Sequence, residues 1–394
     1  MKKITIIGFI TLLLFTNIFS FLFGGVFVSN SFGISSASSN DLHRKLNQVK
    51  NDLIKMYDGD VDESILIDGA LKGMARSLGD TYTFYMDKQE YSDYTIQFTK
   101  KFSGIGVQLL PDQDTNTIVV IDVYRDSPAE KAGMKKNDHI IKVGDINVDA
   151  TTTEKAISLM RGEEGTDVIV TVYRESIGEI ALTMKRDIIT IKTVDFEMID
   201  DKIGYIQVYA FGEDTSDSFE YALENLKASN MQGLILDLRD NGGGLLDQCV
   251  SMVSNFIKKG DVVVSIKGKN YPEERLVSFG GNYIGLPMVI LMNEYSASAS
   301  EIFIGAMIDY RLATTVGTTS YGKGLVQTTL PYGDGTGINV TICKYYSPSG
   351  NNIQGTGFQP NIKVDYPEEL YDKPYSRDED PQFQKAFEII LSKV

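Results

Sequence analysis

Three serines in strict alternation, Ser296, Ser298 and Ser300, are the residues of this sequence best suited to nucleophilic chemistry. They lie in EYSASASEIFIGAM, residues 294–307, where small residues run into an amphipathic helical pattern. A turn that opens a helix is a recurrent position for an attacking serine hydroxyl. An isolated S-x-S-x-S pattern is equally typical of hydroxyls that cap a helix. A nucleophile is indicated only if another residue can take the serine proton.

Histidine is poorly placed to be that base. His43 lies in an N-terminal helical pattern and His139 begins a predicted strand, both far in sequence from the serines. A Ser-His-Asp triad needs a histidine beside the nucleophile, and the GxSxG motif is absent as well. Lys323, between Gly322 and Gly324, is the remaining candidate. Burial would have to lower its pKa from ~10.4 to about 7 or 8, and a solvated lysine in a turn is the alternative.

A run of glycines is the second element that could do chemistry. Asn241-Gly242-Gly243-Gly244 follows the predicted strand GLILDLRD and precedes an amphipathic helix. Free N–H groups at such a loop face an anion, either a phosphate or a developing oxyanion. No GK[ST] follows, so a nucleotide-binding loop is not supported. A plain tight connection remains the alternative.

The elements around these residues alternate between strand and helix from Thr190 onward. This alternation predicts an α/β core with a mixed, largely buried sheet over residues 188–365. Ligand sites in such sheets lie beyond the carboxyl ends of the strands, which is where the glycines and the serines fall. An acidic tail, residues 366–394, ends in a short helical pattern.

Residues 102–187 contain GIGV, SPAEKAGMKKND and LMRGEEGT in an order of elements that resembles a PDZ domain of the bacterial protease-associated kind, an α+β fold. In a PDZ domain a peptide adds as a strand and its free carboxylate sits on the N–H groups of a glycine loop. The resemblance assigns that loop to Phe102, Gly104, Ile105, Gly106 and Val107. Arg161, at the end of the helix opposite, could meet the carboxylate or simply complement the helix dipole. Taken alone, GIGV is also explained as a tight turn.

The N-terminal part of the chain predicts three further segments. Residues 1–28 hold an uncharged run long enough to cross a bilayer, 29–40 form a Ser-rich linker, and 41–101 form a helical region. Lysines at positions 2 and 3 place the N-terminus in the cytoplasm and the rest of the chain outside. The prediction is a single-pass cell-membrane protein with an extracytoplasmic catalytic part. The alternative is a cleaved signal peptide and a secreted protein.

Composition excludes several classes of partner. A net charge of -15 with a pI near 4.7 argues against nucleic-acid binding. Cys249 and Cys343 lie in apolar runs and predict no disulfide. Neither zinc-ligand spacing nor HExxH occurs, so we expect no metal and no cofactor. Polypeptides are the expected partners.

Four motifs in order complete a second resemblance: LILDLRDNGGGLLDQ, SASASEIF, YGKGLVQ and YYSPSGNNIQGTGFQPNIKV. From about Asp41 to Asp365 the chain is similar to the carboxy-terminal processing peptidases, or tail-specific proteases. The family has proline where Gly242 and Thr81 stand here, which reduces rigidity without removing a reactive group. By motif, the resemblance implies Ser298 as nucleophile, Lys323 as general base, Gln327 as the residue that orients the lysine, and the N–H groups of Ala299 and Gly243 as oxyanion donors.

Spacing adds expectations about the residues around this site. Gln327 is four residues past Lys323, so we expect a turn to bring them together. Asp309 is eleven residues past Ser298 on one helix, about 16 Å away, and is expected to be structural. Glu301, in the first helical turn, is expected to support the site through the helix dipole.

The sequence therefore predicts an extracytoplasmic serine endopeptidase with a Ser-Lys dyad that cleaves polypeptides near or from their C-terminal end. The PDZ domain would engage the substrate C-terminus and could gate the site by moving. A catalytically inert PDZ scaffold is the alternative function. A trypsin-like PDZ protease is disfavoured by the missing histidine and GNSGG motif. The N-terminal helical region and the tail are the candidate contacts of a homodimer.

Overall fold

The computed structural model describes residues 36–371 and 373–394 of the chain. The chain divides into two compact units, residues 1–77 and residues 78–394. The predicted membrane segment 1–28 and most of the linker lie outside the described residues. Within the described ranges, no helix combines the length and the apolar character needed to span a bilayer.

The first unit contains two helices, α1 (Ser36–Met56) and α2 (Glu63–Arg76). α1 begins at Ser36, so the last five residues of the predicted linker are helical. Asp62 caps α2 by accepting a hydrogen bond from the Ser64 N–H at 2.8 Å. The predicted helical region 41–101 therefore divides at residue 77, and its second half belongs to the larger unit.

The larger unit opens with β1 (Phe84–Met86) and α3 (Lys88–Thr99). α3 begins with a reciprocal capping box, because Asp87 accepts from the Glu90 N–H and Glu90 accepts from the Asp87 N–H, each at 3.0 Å. It ends at Lys100, whose left-handed backbone (φ 58°) turns the chain into the next strand.

The PDZ region is an antiparallel sheet in the order β3-β4-β5-β7-β8, with β6 beside β5 and a separate β2-β9 pair. The predicted helix start is confirmed: Ser127 caps α4 and Pro128 is its first residue. One buried cluster, which includes Ile118, Ile140 and Val172, fills the space under the sheet. The elements are β2 (Lys101–Gly104), β3 (Val107–Asp112), β4 (Thr117–Val123), α4 (Pro128–Lys131), β5 (His139–Val143), β6 (Ile146–Asn147), a 3-10 turn (Ala150–Thr152), α5 (Thr153–Met160), β7 (Asp167–Arg174), β8 (Gly178–Lys185) and β9 (Asp187–Thr190).

The α/β core is built on a six-stranded sheet in the order β10-β11-β12-β15-β16-β19. β10 is antiparallel to β11 and the other pairs are parallel, so the predicted mixed sheet is confirmed. Helices α6, α7 and α8 contribute buried residues to the main core. The elements are β10 (Val194–Met198), β11 (Ile203–Val208), α6 (Thr215–Ala228), β12 (Gly233–Asp237), α7 (Leu246–Ser254), β15 (Met288–Met292), α8 (Ala299–Asp309), β16 (Ala313–Gly317) and β19 (Ile362–Lys363).

A second sheet, antiparallel throughout, stands beside the first in the order β1-β18-β13-β14, with β17 also paired to β18. It joins β1, from before the PDZ domain, to strands from the far end of the core. Its remaining strands are β13 (Val262–Lys267), β14 (Glu274–Val277), β17 (Leu325–Pro331) and β18 (Gly337–Tyr346).

The acidic tail is part of the core rather than a separate segment. After a 3-10 turn (Glu368–Leu370) it forms α9 (Pro381–Leu391), which confirms the predicted short helix. Phe383, Ala386 and Ile390 are buried in one cluster with residues of the parallel strands. Hydrophobic periodicity predicts the helix but cannot say which surface covers its apolar face.

Candidate active site

Ser298 stands where β15 passes into α8, in a strained backbone conformation. Its φ of 56° and ψ of −114° lie in a region that residues with a Cβ seldom adopt. The same kind of strained strand-to-helix turn exposes the nucleophile of the α/β-hydrolases. The sequence gives no sign of this turn, because the GxSxG motif that marks it in those enzymes is absent.

The other two serines of the run are structural. Ser296 and Ser300 are fully buried. Ser296 Oγ donates to the carbonyl of Leu238 and Ser300 Oγ donates to the carbonyl of Asn241, each at 2.8 Å. Both therefore tie the serine turn to the chain that follows β12, while Ser298 lines a cavity. The structure thus separates Ser298, which is accessible from a cavity, from the two structural serines.

The glycine loop lies directly against this turn. Gly243 has a φ of 98°, and a Cβ on it would come within 2.8 Å of Ser298 Cβ and 2.9 Å of the Ala299 nitrogen. A side chain at this position is therefore excluded. The Gly243 N–H, however, donates to Asn241 Oδ1 at 2.9 Å. In this structure the N–H of Gly243, the predicted oxyanion donor, is therefore already bound to Asn241.

Gly244 is the glycine of this loop that lines the cavity beside Ser298. The Gly243 carbonyl accepts from the Phe211 N–H at 3.0 Å, and across the trans peptide the Gly244 N–H points the opposite way. Gly244 lines the same cavity as Ser298 and Ala299. Within the described part of the chain, neither the Gly244 N–H nor the Ala299 N–H has a protein acceptor. These two donors can meet an anion beside Ser298.

Lys323 reaches the site from the loop between β16 and β17. A Cβ on Gly322 would come within 2.8 Å of the Gly357 nitrogen, and one on Gly324 within 2.7 Å of Asn352 Nδ2. The two glycines therefore permit the close approach that the sequence predicted. Burial lowers the pKa of Lys323, while the nearby carboxylates of Glu301 and Asp80 oppose that shift. A lysine that acts as a general base needs a lowered pKa, so the direction of this shift fits that role.

Glu301 joins the turn at Ser298 to the loop that carries Lys323. The sequence predicted only that its charge would complement the helix dipole. Its carboxylate is fully buried and accepts four hydrogen bonds. The backbone N–H groups of Ser298 and Lys323 each donate at 2.9 Å. The Gly322 N–H, at 2.7 Å, and the Ser320 hydroxyl, at 2.6 Å, donate the other two hydrogen bonds. A buried carboxylate with this many donors is well satisfied and rigidly placed. Its spacing of three from Ser298 signals a capping contact, but no sequence pattern signals the contact with Lys323.

Gln327 lies in a strand rather than beyond a turn. Residues 325–331 form β17, and the predicted turn after Lys323 is wrong. A register shift between Val326 and Gln327 instead changes the direction of the side chain. Gln327 Nε2 donates to Thr341 Oγ1 at 3.3 Å, and Gln327 lines the same cavity as Lys323 and Ser298.

The amine of Lys323 has an aromatic neighbour that sequence reasoning missed. Nζ lies 4.6 Å from the centroid of the Tyr82 ring. Within the described residues, no hydrogen bond joins the side chains of Lys323 and Ser298. Tyr82 comes from the stretch GDTYTFYM, residues 79–86. The resemblance covers this stretch without assigning it a role.

The cavity that these groups share measures 390 Å³, which suits a short length of peptide. Its wall combines Ser298, Lys323 and Gln327 with both apolar and hydroxyl-bearing side chains. Those apolar residues include Phe98, Leu245, Leu246, Ile302, Leu325 and Val326. Asp309 stands apart at the end of α8, where it accepts from the Ser349 N–H at 2.8 Å, which confirms its structural role.

A second groove, of 120 Å³, lies on the PDZ region. It is lined by all six residues that the resemblance assigned to peptide binding: Phe102, Gly104, Ile105, Gly106, Val107 and Arg161. The guanidinium of Arg161 lies 5.5 Å from the centroid of the Phe102 ring and donates to Asp93 Oδ1 at 2.6 Å. Arg161 thus already binds a carboxylate, one that α3 supplies.

A third groove, of 610 Å³, connects the two sites. It shares Phe102 and Arg161 with the PDZ groove, and Tyr91 and Thr95 with the catalytic cavity. One face of α3 therefore forms the floor between them. An extended polypeptide could contact both sites at once.

Comparison with known proteins agrees with this geometry. The family models that match are Peptidase family S41 over residues 202–364, a PDZ domain over 119–174, and the activating protease CtpB N-terminal domain over 29–90.

Among curated relatives, the carboxy-terminal processing protease CtpA of Bacillus subtilis is 36% identical over 345 residues, which is 86% of this chain and 73% of that protein. A carboxy-terminal-processing protease of Bartonella bacilliformis is 36% identical over 315 residues, 78% of this chain and 71% of that protein. A putative S41 protease of Bacteroides fragilis shares the fold, with a TM-score of 0.52 and 17% identity over 88% of this chain and 97% of that chain. The chain belongs to peptidase family S41, the family of the carboxy-terminal processing proteases.

Proposed function

We propose that this C-terminal processing serine protease cleaves polypeptides with Ser298 as its nucleophile and Lys323 as its general base. The observation that carries the proposal is the Glu301 carboxylate, which binds the backbone N–H groups of both residues at 2.9 Å. Two residues 25 positions apart are thereby fixed at one cavity. An inert peptide-binding scaffold has no use for this arrangement, and no observation favours that alternative.

The reaction follows from the positions of these groups. The neutral amine of Lys323 takes the proton of the Ser298 hydroxyl as Oγ attacks the scissile carbonyl carbon. The resulting oxyanion accepts hydrogen bonds from the N–H groups of Ala299 and Gly244. The Lys323 ammonium then returns the proton to the leaving nitrogen, and the C-terminal fragment departs. Water, deprotonated by the same lysine, hydrolyses the acyl-enzyme.

Gln327 is proposed to orient the amine during these transfers. Its side chain lines the same cavity and is itself held by Thr341. An amide oxygen can accept a hydrogen bond from the lysine ammonium while its nitrogen donates elsewhere. The contact with Thr341 leaves that oxygen available.

The PDZ groove is proposed to bind the free C-terminus of the substrate. Three features support this: its glycine-containing loop, the cation of Arg161 at one end, and the connecting groove along α3. A substrate carboxylate would replace that of Asp93 as the partner of Arg161. The polypeptide upstream would then run toward Ser298.

Membrane attachment and self-association are further proposals. The uncharged run in residues 1–28 supports an anchor with the catalytic part outside the cytoplasm. A homodimer is supported by α1, where Leu42, Leu46, Val49 and Leu53 form an exposed apolar stripe. Cell fractionation and sedimentation of the purified protein test the two points separately.

The decisive test of the function is covalent labelling by a fluorophosphonate probe, which phosphonylates an activated serine as its oxygen displaces fluoride from phosphorus. We expect wild type to be labelled on Ser298 and Ser298→Ala to remain unlabelled. Lys323→Ala should be labelled very slowly and should not turn over a peptide substrate. The exposed Lys202→Ala is the matched control and should behave as wild type. Equal labelling of Lys323→Ala and wild type would refute the role of lysine.

A further inference from the structure

The contact between Lys323 and Tyr82 is the strongest feature of the site that the proposed reaction does not use. The amine lies 4.6 Å from the ring centroid, within the range of a cation–π interaction. Tyr82 belongs to neither the sheet that carries Ser298 nor the loop that carries Lys323. It lies in residues 78–83, the segment before β1, which we call the Asp80 segment.

The Asp80 segment is held firmly in place. The Tyr82 N–H donates to Asp80 Oδ1 at 3.0 Å, and the Tyr82 carbonyl accepts from Asn339 Nδ2 at 2.9 Å. The Thr83 hydroxyl donates to Asp80 Oδ2 at 2.7 Å and accepts from the Thr341 N–H at 3.1 Å. Asn339 and Thr341 are both on β18, and Thr341 also binds Gln327. The backbone of Tyr82 therefore has a fixed position relative to β18, and its ring lies against Lys323.

The Tyr82 ring and the nearby carboxylates favour the charged form of Lys323. The negative face of an aromatic ring attracts an ammonium ion and gives a neutral amine no comparable interaction. The Asp80 and Glu301 carboxylates also attract the ammonium charge of Lys323. Both, however, already accept hydrogen bonds from other groups: Glu301 from four donors, and Asp80 from Tyr82 and Thr83. Burial, with the hydrogen bond to Tyr321, raises the pKa of Tyr82 to about 12, so the phenol is uncharged. The other titratable side chains of the cavity wall are Tyr91, Tyr94 and Tyr345.

We propose that Tyr82 is a positioning residue for Lys323, whose ring face holds the ammonium form at the edge of the cavity between proton transfers. Loss of the proton weakens this contact and frees the amine to approach Ser298. The inference rests on the proposed function, since it requires Lys323 to be the base. The sequence could not show it, because the two residues are far apart in the chain.

The test is the pH dependence of kcat/KM on a peptide substrate in two matched variants. Tyr82→Leu keeps an apolar side chain and removes the ring face, whereas Tyr82→Phe keeps the ring face and removes the hydroxyl. Without the ring the ammonium form loses stabilisation, so we expect the acid limb of Tyr82→Leu to move about 0.5 pH unit lower. The acid limb of Tyr82→Phe should stay at its wild-type position.

An acid limb of Tyr82→Leu that is unchanged or moves upward would overturn the inference, as would an equal shift in Tyr82→Phe. A purely structural role lowers activity without moving the limb. If Tyr82→Leu does not fold, Tyr82→Met provides the same comparison. NMR titration of the Lys323 amine in Ser298→Ala, with and without Tyr82→Leu, measures the same shift without turnover. Failure of the proposed function is distinct, because Lys323→Ala would then retain activity at every pH.

Discussion

The Glu301 carboxylate accepts a hydrogen bond from the backbone N–H of Lys323, 22 residues further along the chain, at 2.9 Å. The same oxygen accepts from Ser298. The position of the proposed base relative to the proposed nucleophile is therefore set by a side chain to which the proposed reaction gives no chemical step. A helix-capping glutamate has here become the link between the two halves of the site.

Replacing Glu301 by glutamine should disable the enzyme more than it unfolds it. The amide offers one oxygen and two N–H groups to four donors, so at least one buried donor loses its partner. We expect kcat to fall at least tenfold and the free energy of unfolding to drop by about 1–3 kcal/mol. Urea denaturation and peptide turnover measure the two effects. Glu294→Gln, at an exposed carboxylate that binds Thr318, is the control and should change neither.

The rate should depend on pH through one lysine ionisation. Burial lowers the pKa of Lys323 below its ordinary value of 10.5, so the active neutral amine is present above the lowered pKa and is lost as the pH falls through it. The same sign gives a stability that rises with pH between the folded and the unfolded pKa. The double variant His43→Gln/His139→Gln should keep the wild-type kcat/KM profile. Loss of the acid limb in that variant would point to a histidine base.

Gly242→Pro should stabilise the protein without lowering its activity. Nothing lies within 4 Å of a Cβ built on Gly242, its φ is not positive, and it is the position where the family has proline. Proline there restricts the unfolded chain, so we expect about 0.4–1 kcal/mol of added stability. Thermal unfolding and kcat decide the point. A loss of stability would mean that the loop needs a backbone that proline cannot adopt.

The matched change at the neighbouring glycine should have the opposite result. In Gly243→Ala the new Cβ would meet the Ala297 carbonyl at 2.6 Å and Ser298 Cβ at 2.8 Å. The serine turn would have to move, so we expect kcat to fall by about 10²-fold or more. Wild-type activity in this variant would show that the glycine loop and the turn at Ser298 can move apart without loss of catalysis.

Asp380 should be essential for stability although it does not line the cavity that contains Ser298. Arg239 pairs with Asp237 at 2.6 Å and with Asp380 at 2.7 Å, and all three side chains are at most 10% exposed. Asp380→Ala leaves the arginine half-paired and removes the cap of α9, for a loss of about 3–5 kcal/mol. Lys385→Ala, which breaks an exposed pair with Glu388, should change stability by about 0.5 kcal/mol or less. Equal effects in the two variants would contradict the proposed anchoring of the tail.

Arg161→Gln should weaken the recognition of a free C-terminus. We expect a peptide acid to bind about tenfold more weakly and the corresponding peptide amide to bind as before. Asp93→Asn removes the competing carboxylate of α3 and should strengthen binding of the acid. Isothermal titration on Ser298→Ala protein separates binding from cleavage. An equal loss for acid and amide would indicate that Arg161 only supports the groove.

Sequence reasoning reached those parts of the site that depend on local pattern. Strand-to-helix transitions placed Ser298 and the glycine loop, and a family resemblance selected one serine among three. The contacts of Ser296 and Ser300 with the carbonyls of Leu238 and Asn241 are set by how two loops meet, and no local pattern encodes them.

The features that sequence reasoning did not predict share one cause: they depend on how distant segments of the chain meet. The resemblance implies Gly243 as an oxyanion donor, but its N–H binds Asn241 Oδ1 in this structure, and we propose the N–H of Gly244 in its place. The turn expected before Gln327 is a strand with a register shift. The sequence predicts the helix of the tail but not its attachment to the core, because the paired charges on Arg239 and Asp380 are 141 residues apart.

The pairing of β1 with β18 also determines when the surroundings of Lys323 can be completed as the chain folds. Tyr82 and Asn339, which meet there, are separated by 257 residues, and contacts over such distances form late because the intervening loop must first close. A chain still being synthesised carries Tyr82 long before it contains β18, the strand whose Asn339 and Thr341 hold the segment around Tyr82. The surroundings of the lysine are therefore complete only after β18 has been made and paired.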